Sequence, residues 1–196
     1  MYCILVTGIP ASGKSTIARQ ISEQLSIPVI SKDLIKELLF DHVGFDSREE
    51  KVKLGNASME IMYYMAENLM KCSLPFILEN NFEFTSKPGL ERLLEKFPYN
   101  VITVTLTGDY EKINQRFAER NQSPDRHRGH VVNDRYPEID KNRVVAPIPY
   151  EWFVYGIKKR GMDKFCIDGK QIVVDTTDFS KVNFEEIMGR IQEFLG

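Results

Sequence analysis

At 196 residues the chain is the size of one domain. Its composition, 42% hydrophobic and 28% charged, supplies enough apolar material for a continuous core and argues against disorder. A formal charge of −2 offers no global attraction to nucleic acid or to an anionic membrane, so any polyanion would have to meet a local basic patch.

Tyr2–Thr7 is a short β-rich apolar run ending in glycine, which reads as a strand buried on both faces. Lys14–Leu25 places Ile17, Ala18, Ile21 and Leu25 at helical spacing, and Ile27–Ser31 is a second strand. Lys32–Phe40 reads as a helix, and Arg48–Lys71 as a long one with Gly55 its only weak point. The methionines and tyrosines of that helix (Met59, Met62, Tyr63, Met65, Met70) suit a core, with pocket lining as the alternative. Pro75–Glu79 and Asn100–Leu106 are further strands, followed by helices over Pro88–Phe97 and Tyr110–Arg120. From Asn121 to about Pro149 the pattern becomes polar, basic and proline-containing, which predicts a long structureless lid. A helix over Tyr150–Lys159, a strand over Gln171–Asp175 and a closing helix over Phe184–Phe194 complete the chain.

Strands alternating with helices predict an α/β domain with a parallel sheet, expected to be one unit over 1–196 with its lid at about 121–149. No apolar stretch reaches the roughly 20 residues that span a bilayer, and no leader pattern opens the sequence, so no membrane partner and a cytoplasmic location are expected. Cys3, Cys72 and Cys166 are scattered and read as reduced, packed thiols rather than a disulfide or a zinc site. Oligomeric state leaves no signal.

Gly8-Ile9-Pro10-Ala11-Ser12-Gly13-Lys14-Ser15 fits GxxxxGK[ST], following a predicted strand and opening a predicted helix. Gly8 and Gly13 let the backbone turn so that the N–H groups between them and at Thr16 point at an anion. The helix start adds its positive dipole end, Lys14 reaches the β- and γ-phosphates, and Ser15 is a magnesium ligand. A nucleoside triphosphate with Mg2+ is the expected ligand, and the loop by itself leaves ATP and GTP both open. No guanine-reading K-x-D motif follows a late strand, and the D-x-x-G match at Asp41–Gly44 follows a helix, where chance explains it.

Arg116 and Arg120 lie one helical turn apart, and the basic run Arg126, His127, Arg128, His130 follows. Arginines carried by a lid would neutralise charge developing on a transferred phosphoryl group, so Arg120 and Arg126 are catalytic candidates and Arg128 an acceptor contact. The plain alternative is a solvated basic loop, and the two histidines read as lid surface. Asp33 stands just past the second strand, where ligands of open parallel sheets bind, and can accept an acceptor's hydroxyl proton. It also suits the helix N-terminus, with Ser31 as a possible cap. Glu79 ends the third strand, a place for a group near magnesium or the acceptor; Lys32, Asn80 and Asn81 are its neighbours at the strand ends.

GIPASGKST after the first strand, SKD after the second, ILENN after the third and R-x-x-x-R leading to RHRGH together resemble the small P-loop kinases of the AAA_33 type. That group is similar to the kinase domain of polynucleotide kinase, to chloramphenicol phosphotransferase and to zeta-toxin kinases, and more distantly to gluconate, shikimate and adenylate kinases. The likeness runs from Tyr2 to about His130 and resumes at Val173–Phe179, while 131–170 matches nothing. It implies a P-loop fold of the adenylate-kinase type, with five parallel strands in the order 2-3-1-4-5. It also implies Asp33 at the acceptor hydroxyl, Arg116 against the adenine, Arg120 near the phosphates, and Thr176–Asp178 bordering the base. Glu79 departs from the aspartate found in many relatives. The leading expectation is an ATP-dependent kinase for a hydroxyl of a small molecule. A 5′-hydroxyl nucleic-acid kinase, a nucleoside or nucleotide kinase, and an ATP-binding sensor without turnover stand as alternatives.

Overall fold

The computed structural model describes residues 1–140 and 143–196; positions 141 and 142, within the predicted lid, lie outside the described residues. The strands are β1 Tyr2–Gly8, β2 Val29–Ser31, β3 Phe76–Glu79, β4 Asn100–Thr107 and β5 Lys170–Asp175. The helices are α1 Lys14–Leu25, α2 Lys32–Val43, α3 Arg48–Lys71, α4 Lys87–Lys96, α5 Tyr110–Gln122, α6 Arg128–Val131, α7 Tyr150–Arg160 and α8 Phe184–Leu195. All pairings between these strands are parallel, as the sequence pattern predicts, and the order is β2-β3-β1-β4-β5, as the resemblance implies.

The dense apolar runs are explained by burial on both faces of the sheet. Successive strand residues point to opposite sides. Cys3 and Leu5 of β1 join Phe76 and Leu78 of β3 against Met62, Tyr63, Ala66 and Met70 of α3 and Leu90 and Leu93 of α4. Ile4 and Val6, with Ile77, Ile102 and Val104, face Ile17, Ala18 and Ile21 of α1 and Ile187, Met188 and Ile191 of α8. Met62 and Met70 therefore belong to the core, whereas Met65 is exposed. Cys3 is packed as expected, but Cys72 and Cys166 are free and exposed because they lie outside the strands and the buried helix faces.

β1 and β4 approach closely where the phosphate-loop motif begins. Gly8 pairs with Leu106 at φ +137°, and a Cβ there would stand 2.1 Å from the Leu106 carbonyl oxygen. Gly8→Ala combines a left-handed backbone with that overlap, a cost of about 3 kcal/mol, or about 10 °C in Tm for a chain of this size. A melting curve within 2 °C of the parent would show that the strands can separate there cheaply.

Within the segment after α5, residues 128–136 are more ordered than the composition predicts. They form α6, bridge Tyr136 to Phe45 and bury Val131 and Val132. Val132 packs with Phe40 and Phe45, which tilt against each other at 5.1 Å, so two apolar residues in a polar stretch anchor it on α2 and α3. The buried Lys51 of α3 completes the anchor: its Nζ donates to the carbonyls of His130 and Val132 and to Asn133 Oδ1. Among the described residues no helix is long and apolar enough to cross a membrane.

Candidate active site

The turn between β1 and α1 is held from beneath by Ile9, which packs with Ile113 of α5 and Phe153 and Ile157 of α7. Ala11 takes φ +62° and Gly13 φ +92°, so the turn winds through left-handed backbone before α1 begins. A Cβ on Gly13 would strike the Phe179 ring at 2.1 Å. Ser12 is fully buried with its Oγ unpartnered among the described residues. Lys14 is 8% exposed, and its Nζ donates to the Ile9 carbonyl at 2.8 Å, curling back over the turn. Burial pulls its ammonium down to about 8; Glu79 and Asp33 work against that shift, and Arg120 and Arg126 add to it.

A cleft of about 330 Å³ opens over this turn, lined by Pro10, Ala11, Gly13, Lys14, Ser15, Thr16, Asp33, Glu79, Asn81, Arg116 and Arg120. Eleven positions that are scattered in sequence meet there because β1, β2 and β3 all end on the same side of a parallel sheet. Gly8 and Ser12 shape the turn from behind rather than line the cleft.

Glu79 is buried at the end of β3 and accepts a hydrogen bond from Ser31 Oγ at 2.5 Å. Ser31 occupies the N-cap position of α2, but its hydroxyl makes no capping bond; it is taken by Glu79 instead. Burial raises the Glu79 carboxyl, with Lys14 and hydrogen bonds from Ser31 and Ser15 acting against it. A buried carboxylate beside the Ser15 hydroxyl is a hard-oxygen pair that suits Mg2+. Among the described residues no cluster of three His, Cys, Asp or Glu side chains could hold a metal. A cation here would thus draw its remaining ligands from phosphate oxygens and water, as Mg2+ in phosphotransferases does.

Asp33 opens onto the same cleft from the first turn of α2. Burial would raise its carboxyl, but the charges of His130, Lys32, Lys36 and Lys14 outweigh burial and hold it below the usual range. It is therefore an anion at neutral pH. His130 is not lid surface: its ring is only 7% exposed and lies 2.9 Å from Glu37 Oε1. Glu37, one turn beyond Asp33, also lies 3.9 Å from Arg126. The pair Glu37–His130 thus backs Asp33 and Arg126, a role that sequence spacing did not signal because its two halves come from distant segments. His127 is also mostly covered, tilted against Phe40 at 5.9 Å and linked to Asp41. The anchoring of the segment on α2 explains both corrections.

Arg116 donates to the Thr176 carbonyl at 2.5 Å, which joins α5 to the loop after β5 and brings the two predicted base-bordering residues together. Burial and the neighbouring Arg126 pull the Arg120 guanidinium down to about 10. Arg126 has its Nε buried and unpartnered among the described residues. Arg128 is not brought to the cleft. Its fork grips Glu138 at 2.6 and 2.8 Å, and it also donates to the Arg143 carbonyl. Lys32 lines a second cavity instead of this cleft.

Residues 4–146, nearly three quarters of the chain, match the family model AAA_18, described as an AAA domain. The chain belongs to the AAA_18 family. The matched residues include the phosphate-loop turn and the ends of β1, β2 and β3; the family shown is AAA_18 and not the AAA_33 type that the motifs suggest. No curated protein sequence matches the chain. Among solved structures, a protein of Chloroflexus aurantiacus J-10-fl described as a candidate kinase aligns with a TM-score of 0.82 and 24% identity, covering 100% of this chain and 98% of that one. A sugar kinase of Janibacter sp. HTCC2649 aligns at 0.58 and 15% identity, covering 100% and 94%. Shikimate kinase of Bacteroides thetaiotaomicron aligns at 0.57 and 14%, covering 99% and 98%. At these identities the likeness is one of fold.

Proposed function

We propose that this AAA_18 chain is an ATP-dependent kinase that moves the γ-phosphoryl group to a hydroxyl of a small molecule. One observation carries the reading: a carboxylate held in its anionic form, Asp33, lines the same cleft as Lys14 of the phosphate-loop motif. A nucleotide sensor has no use for a base beside the terminal phosphate. The kinase descriptions of the structural neighbours support the reading.

In this reading the amides of Gly8–Thr16 and the Lys14 ammonium hold the β- and γ-phosphates, with the adenine beside Arg116 and Thr176. Ser15 and Glu79 would hold Mg2+, which supplies charge neutralisation between the phosphates when bound. Asp33 orients the acceptor hydroxyl and takes its proton as the oxygen forms a bond to the γ-phosphorus. The bond from that phosphorus to the β–γ bridging oxygen breaks, and ADP leaves. Arg120 and Arg126 stabilise the charge spread over the equatorial oxygens, and the segment 121–149 acts as the lid that excludes water. Asn81 lies within reach of the acceptor.

A screen with γ-labelled ATP and magnesium against sugars, nucleosides, phenicol and aminoglycoside antibiotics, hydroxy acids and 5′-hydroxyl oligonucleotides tests this. Label in a small hydroxyl compound is the expected result. Label released only as inorganic phosphate would overturn the transfer reading, and label on the oligonucleotides alone would turn it into a nucleic-acid kinase.

A further inference from the structure

A second cavity, of about 600 Å³, is lined in part by the start of α2, which also contributes to the cleft over the phosphate loop. Lys32 lines this cavity and the next residue, Asp33, lines the cleft. Lys32 and Lys36 share one face of α2 at i, i+4 spacing, and Asp33 lies between them in sequence. The cavity is strongly cationic in a chain whose net charge is −2. Six lysines and arginines line it against two carboxylates, Glu60 and Glu83.

Most of that positive charge is uncommitted. Lys51 has its three donors on neutral oxygens, and Arg160 is paired with Glu83. Lys32, Lys36, Arg48 and Arg92 have no ion-pair partner within 4.0 Å among the described residues, and Arg48 donates only to the neutral Asn133 amide. Cations gathered in a concave, half-buried space repel one another and lose hydration, a cost that a fold retains without benefit only rarely. Burial first, and Lys32 next, pull the Lys36 ammonium down to about 8. An entering dianion would relieve the repulsion and offset the cost of burial. Met59, Val52 and Tyr63 supply an apolar wall alongside, room for a carbon skeleton.

We propose that this cavity seats a phosphomonoester of the phosphoryl acceptor: the acceptor is an alcohol that already carries a phosphate, bound by Lys32, Lys36 and Arg48 with its free hydroxyl at Asp33. The inference rests on the kinase reading above and names its substrate class. Six lysines and arginines against two carboxylates leave a formal surplus of four positive charges, which matches a phosphate dianion better than a single carboxylate and serves no purpose for a neutral sugar. The products are ADP and a doubly phosphorylated compound.

The test follows ADP release with ATP and magnesium against matched sets of acceptors. These are glycerol, ribose and glucose; glycerol 3-phosphate, ribose 5-phosphate and glucose 6-phosphate; and the carboxylates glycerate and gluconate. At least one phosphomonoester should exceed its neutral parent by about 100-fold in kcat/KM. Lys36→Glu and Arg48→Glu should each raise its KM by about tenfold or more while ATP affinity stays within about twofold. Preference for a neutral or carboxylate acceptor, or charge reversals without effect on KM, would overturn the proposal and leave the kinase reading intact. If no compound turns over, titration of inorganic phosphate and the three phosphomonoesters into enzyme saturated with ADP and magnesium decides. Saturable binding lost in Lys36→Glu supports the site, and the absence of any binding removes it. Failure of ATP to bind at Gly8–Thr16 would instead sink the underlying kinase reading.

Discussion

Asp33→Asn should lower phosphoryl transfer by about 10³-fold, within the range of about 10²–10⁴ for a positioned general base, while ATP affinity changes less than about threefold. The amide keeps the shape but cannot take a proton. The surroundings sharpen the effect, because Lys32, Lys36 and Lys14, joined by His130 where that ring is protonated, hold the parent carboxyl in its ionised form. With that carboxyl below its usual range, transfer by the parent should show no acid limb from Asp33 between pH 5 and 8. Single-turnover rates and nucleotide titrations on the same preparation separate the two quantities. A variant that retains transfer within threefold would remove Asp33 from the chemistry and leave it the role of an N-terminal helix charge.

Lys14→Ala should weaken ATP binding by about 10- to 100-fold and reduce transfer further, by about 10³-fold, since the contact is stronger to the charge spread in the transition state. The buried ammonium also predicts a pH dependence. In the free protein it titrates near 8, and a bound triphosphate would raise that value. Binding then takes up a proton above pH 8, so ATP affinity should be level below pH 8 and fall as pH rises through it. Lys14→Met should abolish that slope. The same shift has a stability consequence of opposite sense. A lysine lowered from 10.5 to about 8 by folding opposes the fold by about 3 kcal/mol below pH 8, and the opposition fades between 8 and 10.5. Lys14→Met should therefore raise the Tm of the nucleotide-free protein at pH 7 while destroying transfer. A fall in Tm would show that the bond from Lys14 to the Ile9 carbonyl outweighs the burial of charge.

Among the described residues, local pattern was enough to place all five strands and seven of the eight α-helices, because each is a short apolar run or a periodic stripe bounded by glycine, proline or polar residues. It also placed the phosphate loop, whose glycines are dictated by close approach: Gly8 to the Leu106 backbone and Gly13 to the Phe179 ring. Strand order followed from resemblance and not from periodicity. Tertiary structure alone decided that 128–136 lies packed on α2 and α3, since two valines in a polar stretch carry no period. It decided that Ser31 serves Glu79 rather than the helix cap, that His130 and Glu37 meet behind Asp33, and that Arg128 turns to Glu138. It also gathered Lys32, Lys36, Arg48 and Arg92 into one cavity. A sequence records which charges a chain owns; which of them share a low-dielectric space, and so which must be neutralised by a ligand, depends on contacts between segments tens of residues apart.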